Sequence, residues 1–250
     1  MSAKTAKTTT TAKPKAKEPS AFIKLYLIAY NAVQVGGWSY ILYQLINYYI
    51  LQGAEFRAQI TLWDYTRVAV IIFQNAAFVE ILNAAFGLVK SNPVVTTFQV
   101  FSRMMVVVGV VMATPTGKVS PGLPIALFAW AITEIIRYGY YALNIVKVVP
   151  HFVVFLRYTT FIALYPIGVT GELLCFWWAQ NYAKEHSVWS VEMPNKWNAT
   201  FSYFTLLWIV MLGYIPIFPQ LYLHMFAQRR KILGGSSAAA APASQKKKAH

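Results

Sequence analysis

Four side chains able to exchange protons recur at every seventh position of one apolar segment: His151, Tyr158, Tyr165 and Glu172. Seven helical steps of roughly 100° end about 20° short of two full turns, so the four residues predict a stripe nearly parallel to a helix axis. Tyr165 and Glu172 are separated by roughly 10.5 Å of helical rise, and their long side chains can converge on a ligand between them. A phenol and a carboxyl that face an apolar cavity can serve as an acid/base pair. Packing between helices is the alternative role.

Small residues and a proline accompany this pair. Pro166 cannot donate a backbone hydrogen bond and predicts a kink directly after Tyr165. Gly168 and Gly171 leave room beside the same turns for a substrate or for a neighbouring helix. The sequence therefore predicts a bent helix with space next to its polar residues.

Other ionisable residues also fall within apolar segments, where they mark functional sites or paired structural contacts. There are three acids and three bases: Glu80, Glu134, Glu172, Arg103, Arg137 and Arg157. The equal numbers predict that interior charges pair with one another, and they argue against a pathway for ions of one sign. Glu134, Arg137 and Tyr138 stand at offsets of three and four and share one helix face.

The elements that hold these residues are long and apolar. Hydrophobic residues make up 57% of the 250 positions and charged residues 12%, which is about half the charged share usual for a soluble domain. Six segments approach or exceed the roughly 20 residues that cross hydrocarbon as a helix. They lie at about 22–50, 68–88, 94–113, 123–143, 152–180 and 201–226. We therefore predict an all-α integral membrane protein, a six-transmembrane-helix bundle with disordered N- and C-terminal tails.

The polar ends of the chain set its organisation and orientation. Residues 1–20 and 234–250 are the predicted disordered tails, and residues 21–233 form the six-span domain. The net charge of +14 is concentrated in those tails, so the sequence does not indicate a nucleic-acid-binding face. With six spans, the lysine-rich tails share one side with Lys90 and Lys147, whereas the opposite loops carry mixed charge. Both termini are therefore predicted to be cytosolic.

Two short motifs concern the cellular compartment. Lys247 and Lys248 are the fourth and third residues from the C-terminus and resemble the dilysine signal that retains membrane proteins in the endoplasmic reticulum. A solvating basic tail is the alternative interpretation. Asn198 begins a glycosylation sequon in a predicted lumenal loop, close to the sixth span.

Two blocks of sequence resemble a known family. The run RYTTFIALYPIGVTGELL at residues 157–174 is similar to the signature of the very-long-chain (3R)-3-hydroxyacyl-CoA dehydratases, also called protein tyrosine phosphatase-like or PASTICCINO-type proteins. The upstream block WAITEIIRY at residues 130–138 resembles the family's W-x-x-x-E-x-x-R-Y segment. The similarity in order, spacing and number of spans extends over roughly residues 22–232.

The resemblance implies a hydro-lyase of the endoplasmic reticulum membrane. Such an enzyme removes water from very-long-chain (3R)-3-hydroxyacyl-CoA to give trans-2-enoyl-CoA, the third step of fatty-acid elongation. The family's catalytic Tyr and Glu fall on Tyr165 and Glu172. One group must take a proton from C2 while another donates a proton to the departing 3-hydroxyl. We expect Glu172 as the base and Tyr165 as the donor, and the reversed assignment stays open.

The same resemblance sets expectations for ligands and partners. No metal or organic cofactor is expected, because the thioester already acidifies C2. The expected partners are the long-chain acyl-CoA substrate, the lipid bilayer and other elongase components, namely a condensing enzyme, a 3-ketoacyl-CoA reductase and an enoyl-CoA reductase. The candidate substrate-binding or supporting residues are Arg103, Glu134, Arg137, Tyr138, Lys147, Arg157 and Tyr158. Lys147, Arg157 and the basic run 229–231 are candidates to meet the CoA phosphates, although the positive-inside bias explains them equally well.

Three other classes can be weighed against the dehydratase. A small-solute transporter would also use intramembrane charges, but the sequence has no inverted repeat and no paired broken helices. A catalytically idle scaffold of the elongase would not need Tyr165 and Glu172, and both are present. A cysteine phosphatase needs an Arg six residues after its Cys, and the residue six positions after Cys175 is Asn181. The phosphatase interpretation is therefore excluded.

Overall fold

The structure, a computed structural model, describes residues 20–89, 91, 93–196 and 198–239. The described residues form ten α-helices, and the all-α prediction is confirmed for this part of the chain. The helices are α1 Ala21–Ile46, α2 Ala54–Gln59, α3 Leu62–Ala76, α4 Phe78–Ala85, α5 Pro93–Val106, α6 Pro115–Lys118, α7 Gly122–Ile145, α8 His151–Arg157, α9 Phe161–His186 and α10 Tyr203–Ala239. Two of them, α1 and α5, continue into π-helical turns at Asn47–Leu51 and Val107–Val111.

The predicted apolar segments are helical, but two of them are divided. The segment predicted at 68–88 is split between α3 and α4 at Ala77, and the segment predicted at 152–180 is split between α8 and α9 at residues 158–160. Apolar composition indicates which residues avoid water, and it does not register a local change in backbone angle. These two breaks are therefore absent from the hydrophobicity pattern.

The break between α8 and α9 corrects the predicted four-residue stripe. Tyr158, the residue that follows α8, has φ −104° and ψ 10°, and the Thr160 hydroxyl donates to the carbonyl oxygen of Leu156 at 2.9 Å. A threonine hydroxyl that bonds four residues back competes with the regular backbone ladder and bends helices. His151 and Tyr158 therefore lie outside α9, and only Tyr165 and Glu172 of the predicted stripe lie on one regular helix.

The outer surface is that of a membrane protein. Three helical stretches are long and apolar enough to cross a membrane, namely Leu62–Ala85, His151–His186 and Tyr203–Leu233. Large apolar side chains of α10 point outward with 52–69% of their surface exposed: Ile209, Leu212, Ile215, Ile217 and Leu223. Soluble monomers rarely expose a continuous apolar face of this kind, whereas lipid chains cover it.

Helix α7 lies at the centre of the bundle, packed against α1 on one side and α9 on the other. The contact with α9 is unusually close at Gly171. A Cβ atom added there would lie 2.5 Å from the backbone nitrogen of Ala126 and 2.8 Å from the carbonyl oxygen of Gly122. Small residues allow two helix backbones to approach in this way, and this approach fixes α9 against α7 beside Glu172.

Pro166 lies inside α9 without ending the helix. Because its nitrogen has no hydrogen, the carbonyl oxygen of Ile162 loses its regular helical donor. The Tyr222 hydroxyl of α10 donates to that oxygen at 2.9 Å. The predicted missing hydrogen bond is thus replaced by a contact that joins α10 to α9 beside Tyr165.

The ends of the chain differ in how far the structure describes them. Helix α10 continues to Ala239, so residues 234–239 extend a helix where the sequence predicts a flexible linker. Residues 1–19 and 240–250 lie outside the described residues, and so do most of both predicted tails, Lys90 and the proposed retention signal at Lys247 and Lys248.

Candidate active site

Glu172 is the best-enclosed carboxyl of α9 and the centre of the candidate site. Its side chain is buried at the interface of α9 with α7 and α10, with 7% of its surface exposed. One carboxyl oxygen, Oε1, accepts a hydrogen bond from Trp130 Nε1 of α7 at 2.8 Å. The other oxygen, Oε2, accepts one from the Tyr214 hydroxyl of α10 at 2.6 Å. Three helices therefore fix both oxygens of one carboxyl group.

Tyr165, the predicted partner of Glu172, lies on the same helix in a different environment. Its ring stacks on Phe218 with a centroid distance of 5.1 Å and on Tyr222 at 6.0 Å, both nearly parallel to it. Within the described part of the chain its hydroxyl has no hydrogen-bond partner, so this phenol is available to a ligand. Tyr165 and Glu172 lie on the same helix, as predicted, but they do not contact each other directly.

The phenol that does contact Glu172 was not identified from the sequence. Tyr214 and Trp130 each lie 42 residues from Glu172 along the chain. Trp130 begins the block that resembles the dehydratase family, so the sequence contains a motif that could have identified it as a site residue. Tyr214 is one of 16 tyrosines in an apolar chain, and no spacing rule relates it to a residue of another helix.

A network of paired charges lies next to this site. Arg103 of α5 bonds to Glu134 of α7, and Arg137 bonds to the other Glu134 oxygen through Nε at 2.7 Å. Arg137 also holds both oxygens of Glu80, at 2.5 and 2.7 Å, and Glu80 accepts a further bond from the Tyr138 hydroxyl. Two acids and two bases are thus neutralised within the bundle, and the predicted pairing of interior charges is confirmed for these four.

Trp130 connects the network to the carboxyl. The guanidinium carbon of Arg103 lies 5.7 Å from the centroid of the Trp130 ring, while the indole N–H of the same ring donates to Glu172. A cation over an indole face is attracted by the ring quadrupole. Glu172 itself makes no ion pair among the described residues. It is held by neutral donors, with a positive charge one ring away.

Three of the candidate supporting residues lie apart from Glu172. Arg157 donates to the Tyr141 hydroxyl at 3.3 Å, and Tyr158 packs edge-on against Tyr140 at 6.1 Å. Lys147 is exposed in the turn after α7, with φ 61°. These residues cluster at the end of the bundle where α7 and α8 meet, and the predicted interior charge of Arg157 is not part of the ion-pair network.

Asn198, the predicted glycosylation site, is exposed in the loop between α9 and α10. Its backbone adopts a positive φ of 47°, and its N–H donates to the Asn195 carbonyl oxygen at 3.1 Å. The acceptor is therefore at the protein surface.

An apolar groove of about 350 Å³ opens between α9 and α10 on the outer face of the bundle. Pro166, Val169 and Leu173 form part of one wall, and Ile215 and Phe218 part of the other. Tyr214, whose hydroxyl donates to Glu172, is also one of the residues that line the groove. The groove can receive an apolar chain from the lipid side.

The fold and the site define a class: an all-helical membrane protein with a buried carboxyl, phenols and an apolar groove at one helix interface. Residues 74–235 match the family model described as protein tyrosine phosphatase-like protein, PTPLA. The chain belongs to this family, and the resemblance of its two sequence blocks is confirmed.

Named relatives agree with the family model. The chain is 42% identical over 214 residues to "Very-long-chain (3R)-3-hydroxyacyl-CoA dehydratase hpo-8" of Caenorhabditis elegans, covering 85% of this chain and 96% of that protein. It is 39% identical over 208 residues to the human "Very-long-chain (3R)-3-hydroxyacyl-CoA dehydratase 2", covering 83% and 80%. It is 32% identical over 215 residues to the rice protein "Very-long-chain (3R)-3-hydroxyacyl-CoA dehydratase PASTICCINO 2A", covering 86% and 95%. No solved structure matches the chain.

Proposed function

We propose that this protein removes water from very-long-chain (3R)-3-hydroxyacyl-CoA to give trans-2-enoyl-CoA, the third step of fatty-acid elongation. The family and the names of the relatives support this reaction. The observation that carries it is Glu172, a carboxyl fixed at both oxygens by neutral donors next to a groove of apolar side chains. A base held in this way can remove the acidic proton beside a thioester.

Glu172 and Tyr165 supply the proposed chemistry. Glu172 takes the proton from C2, the electrons of that C–H bond form the C2–C3 double bond, and the bond from C3 to the hydroxyl breaks. Tyr165 donates a proton to the departing hydroxyl, which leaves as water. After the products leave, Glu172 releases its proton to water and the Tyr165 phenolate takes one up from water, which restores both groups; the opposite division of roles also balances. No cofactor is needed, because the thioester already activates C2.

The proposed topology has six spans. Besides the three stretches that qualify by length and composition, α1 has 26 residues and α7 has 24, each long enough to cross roughly 30 Å of hydrocarbon. Their buried polar side chains, such as Gln34 and Glu134, face the bundle interior and lower the apolar content. Helix α5 with its π-turn completes the count, with both termini cytosolic and the protein in the endoplasmic reticulum.

The substrate and partners follow from the same proposal. The acyl chain enters from the bilayer, and the CoA phosphates approach the cytosolic ends of the helices. Lys147, Arg157 and the basic run 229–231 are the proposed contacts for those phosphates. A condensing enzyme, a 3-ketoacyl-CoA reductase and an enoyl-CoA reductase are the proposed neighbours in the same membrane, since they supply and consume the two thioesters.

Turnover by the purified full-length protein tests the function. The protein in detergent is incubated with a long-chain (3R)-3-hydroxyacyl-CoA, and the enoyl product is followed by mass spectrometry. We expect product with the wild-type chain and none with Glu172→Gln, which keeps the size of the side chain but cannot act as a carboxylate base. An inactive wild-type chain, helical and monodisperse, would overturn the proposal.

A further inference from the structure

Tyr214 is the only phenol that the described residues place in hydrogen-bonding contact with Glu172. Its hydroxyl reaches the carboxyl from α10 at 2.6 Å, and its ring packs edge-on against Phe176 of α9 at 6.1 Å. The reaction scheme built on Tyr165 and Glu172 makes no use of it. This short hydrogen bond joins two groups that can exchange protons at the centre of the candidate site, which indicates that Tyr214 has a function there.

The two donors to Glu172 differ in what they can do during proton transfer. The indole N–H of Trp130 can only donate, so Oε1 must remain an acceptor throughout. The Tyr214 hydroxyl can either donate or accept. When Glu172 gains a proton, Tyr214 can reverse the direction of its hydrogen bond and remain bonded to Oε2. The carboxyl is therefore held in both protonation states, and the geometry favours Oε2 as the oxygen that receives the proton.

Tyr214 also meets the groove in which the apolar substrate chain is expected. It lies beside Met211, Ile215 and Phe218 on the wall of the opening between α9 and α10. No other described side chain both lines this groove and hydrogen-bonds Glu172. A chain lying in the groove therefore contacts the residue whose hydroxyl holds the base.

We propose that Tyr214 is a positioning residue for Glu172: it aims the carboxyl at C2 of the substrate and keeps it hydrogen-bonded before and after it takes the proton. The proposal rests on the proposed dehydration and adds a third helix to the site. In the transfer, the C2–H bond breaks and a bond forms between the proton and Oε2. The Tyr214 hydroxyl then changes from donor to acceptor in its hydrogen bond with Oε2.

Tyr214→Phe tests this role, because it keeps the ring against Phe176 and removes only the hydroxyl. We expect kcat for a long-chain 3-hydroxyacyl-CoA to fall by about 10- to 100-fold, the rate equivalent of one hydrogen bond to a charged group. KM should stay within about twofold, because the apolar wall is unchanged. A role confined to holding α10 against α9 would lower thermal stability and leave kcat per folded molecule intact.

Tyr203→Phe is the matched control. Tyr203 lies on the same helix, and its hydroxyl also donates to an oxygen of a neighbouring element, the Gly109 carbonyl; neither residue lines the groove. This variant should lose stability by a similar amount and keep the wild-type kcat. Equal kcat in Tyr214→Phe and wild type would overturn the proposal, and so would an equal loss of kcat in both variants.

A second measurement serves if Tyr214→Phe does not fold. Replacing Tyr214 by 3-fluorotyrosine keeps the hydroxyl and makes it more acidic, at the expense of one small added atom on the ring. We expect a change in the dependence of kcat on pH relative to the wild-type chain, and an identical profile would overturn the role of Tyr214. An inactive wild-type chain would instead overturn the dehydration itself and this inference with it, so the two failures are distinguishable.

Discussion

The Tyr222 hydroxyl donates to the carbonyl oxygen of Ile162, the oxygen that Pro166 leaves without a helical partner. The backbone hydrogen bond that α9 lacks at Pro166 is thus replaced by one from a side chain of α10. The same two helices supply Tyr165, Glu172 and Tyr214, so this hydrogen bond helps to hold the elements of the candidate site together.

A double-mutant cycle measures the energetic coupling between Tyr222 and Pro166. Tyr222→Phe should lower the free energy of unfolding by about 1–2 kcal/mol, because it leaves a carbonyl oxygen unsatisfied in an apolar environment. In a Pro166→Ala background the new backbone N–H can donate to Ile162, and the same Tyr222→Phe change should cost clearly less. Chemical denaturation in detergent gives all four values, and strictly additive effects would contradict the interpretation.

Removal of the two proposed catalytic groups should stop turnover. Glu172→Gln and Tyr165→Phe are each expected to lower kcat by about 10²- to 10⁴-fold, the range for loss of a positioned acid or base. Helical circular dichroism should stay unchanged, and Tyr203→Phe serves again as an active control. Wild-type turnover by Tyr165→Phe, with Tyr214→Phe strongly impaired, would transfer the donor role to Tyr214.

We expect the interior ion pairs to contribute far more to the free energy of unfolding than a surface pair does. Arg137→Met leaves Glu80 and Glu134 without a shared counter-charge, and breaking a buried pair in this way costs about 3–5 kcal/mol. Arg67→Met removes an exposed pair with Asp64, whose atoms lie 3.9 Å apart, and is expected to cost less than about 1 kcal/mol. Thermal unfolding in one detergent compares the two. Similar melting temperatures would show that the network contributes little to stability.

The contact between α7 and α9 predicts a sharp difference between two glycines. A Cβ atom at Gly171 would meet backbone atoms of Ala126 and Gly122 that cannot move aside, so Gly171→Ala should separate the helices and abolish activity. Gly139, inside α7, has nothing within 4 Å of the same added atom. Gly139→Ala is expected to be neutral, or to raise stability by up to about 1 kcal/mol. Turnover and melting temperature of both variants check this, and an active Gly171→Ala protein would contradict the packing described.

Charge reversal tests the proposed contact with CoA. Replacing Arg229, Arg230 and Lys231 together by Glu should raise KM for the acyl-CoA at least about threefold without lowering kcat, if these residues meet the phosphates. Lys184→Glu makes one such change in the last turn of α9, at the other end of the bundle, and should leave KM unchanged. If neither variant alters KM, the basic run reflects only the orientation of the protein in the membrane.

Part of this architecture is accessible from the sequence because it depends on local patterns. Apolar composition identifies the helical segments, and the equal numbers of acids and bases predict that Arg103 and Arg137 pair with interior carboxyls. Spacing along one helix correctly places Tyr165 and Glu172 on α9. These inferences need no knowledge of which helices are neighbours.

The remainder depends on contacts between distant segments. One exception is local: the break at residues 158–160 arises from backbone angles that hydropathy does not detect. The bond from Tyr214 to Glu172 depends on how α10 lies against α9, and no periodicity within either helix determines that arrangement. A shared helical face is also a weaker relationship than contact, which explains why the spacing singled out Tyr165 while a different tyrosine reaches the carboxyl.

The groove between α9 and α10 is bounded by protein on one side and is open on the other, toward the outer face of the bundle. A closed tunnel limits the length of the acyl chain that can bind, because a chain longer than the tunnel does not fit inside it. A groove that is open along one side sets no such limit, because the carbons beyond its end can lie among lipid tails without a steric clash. If the acyl chain of the proposed substrate lies in this groove, the groove itself sets no upper limit on the length of that chain.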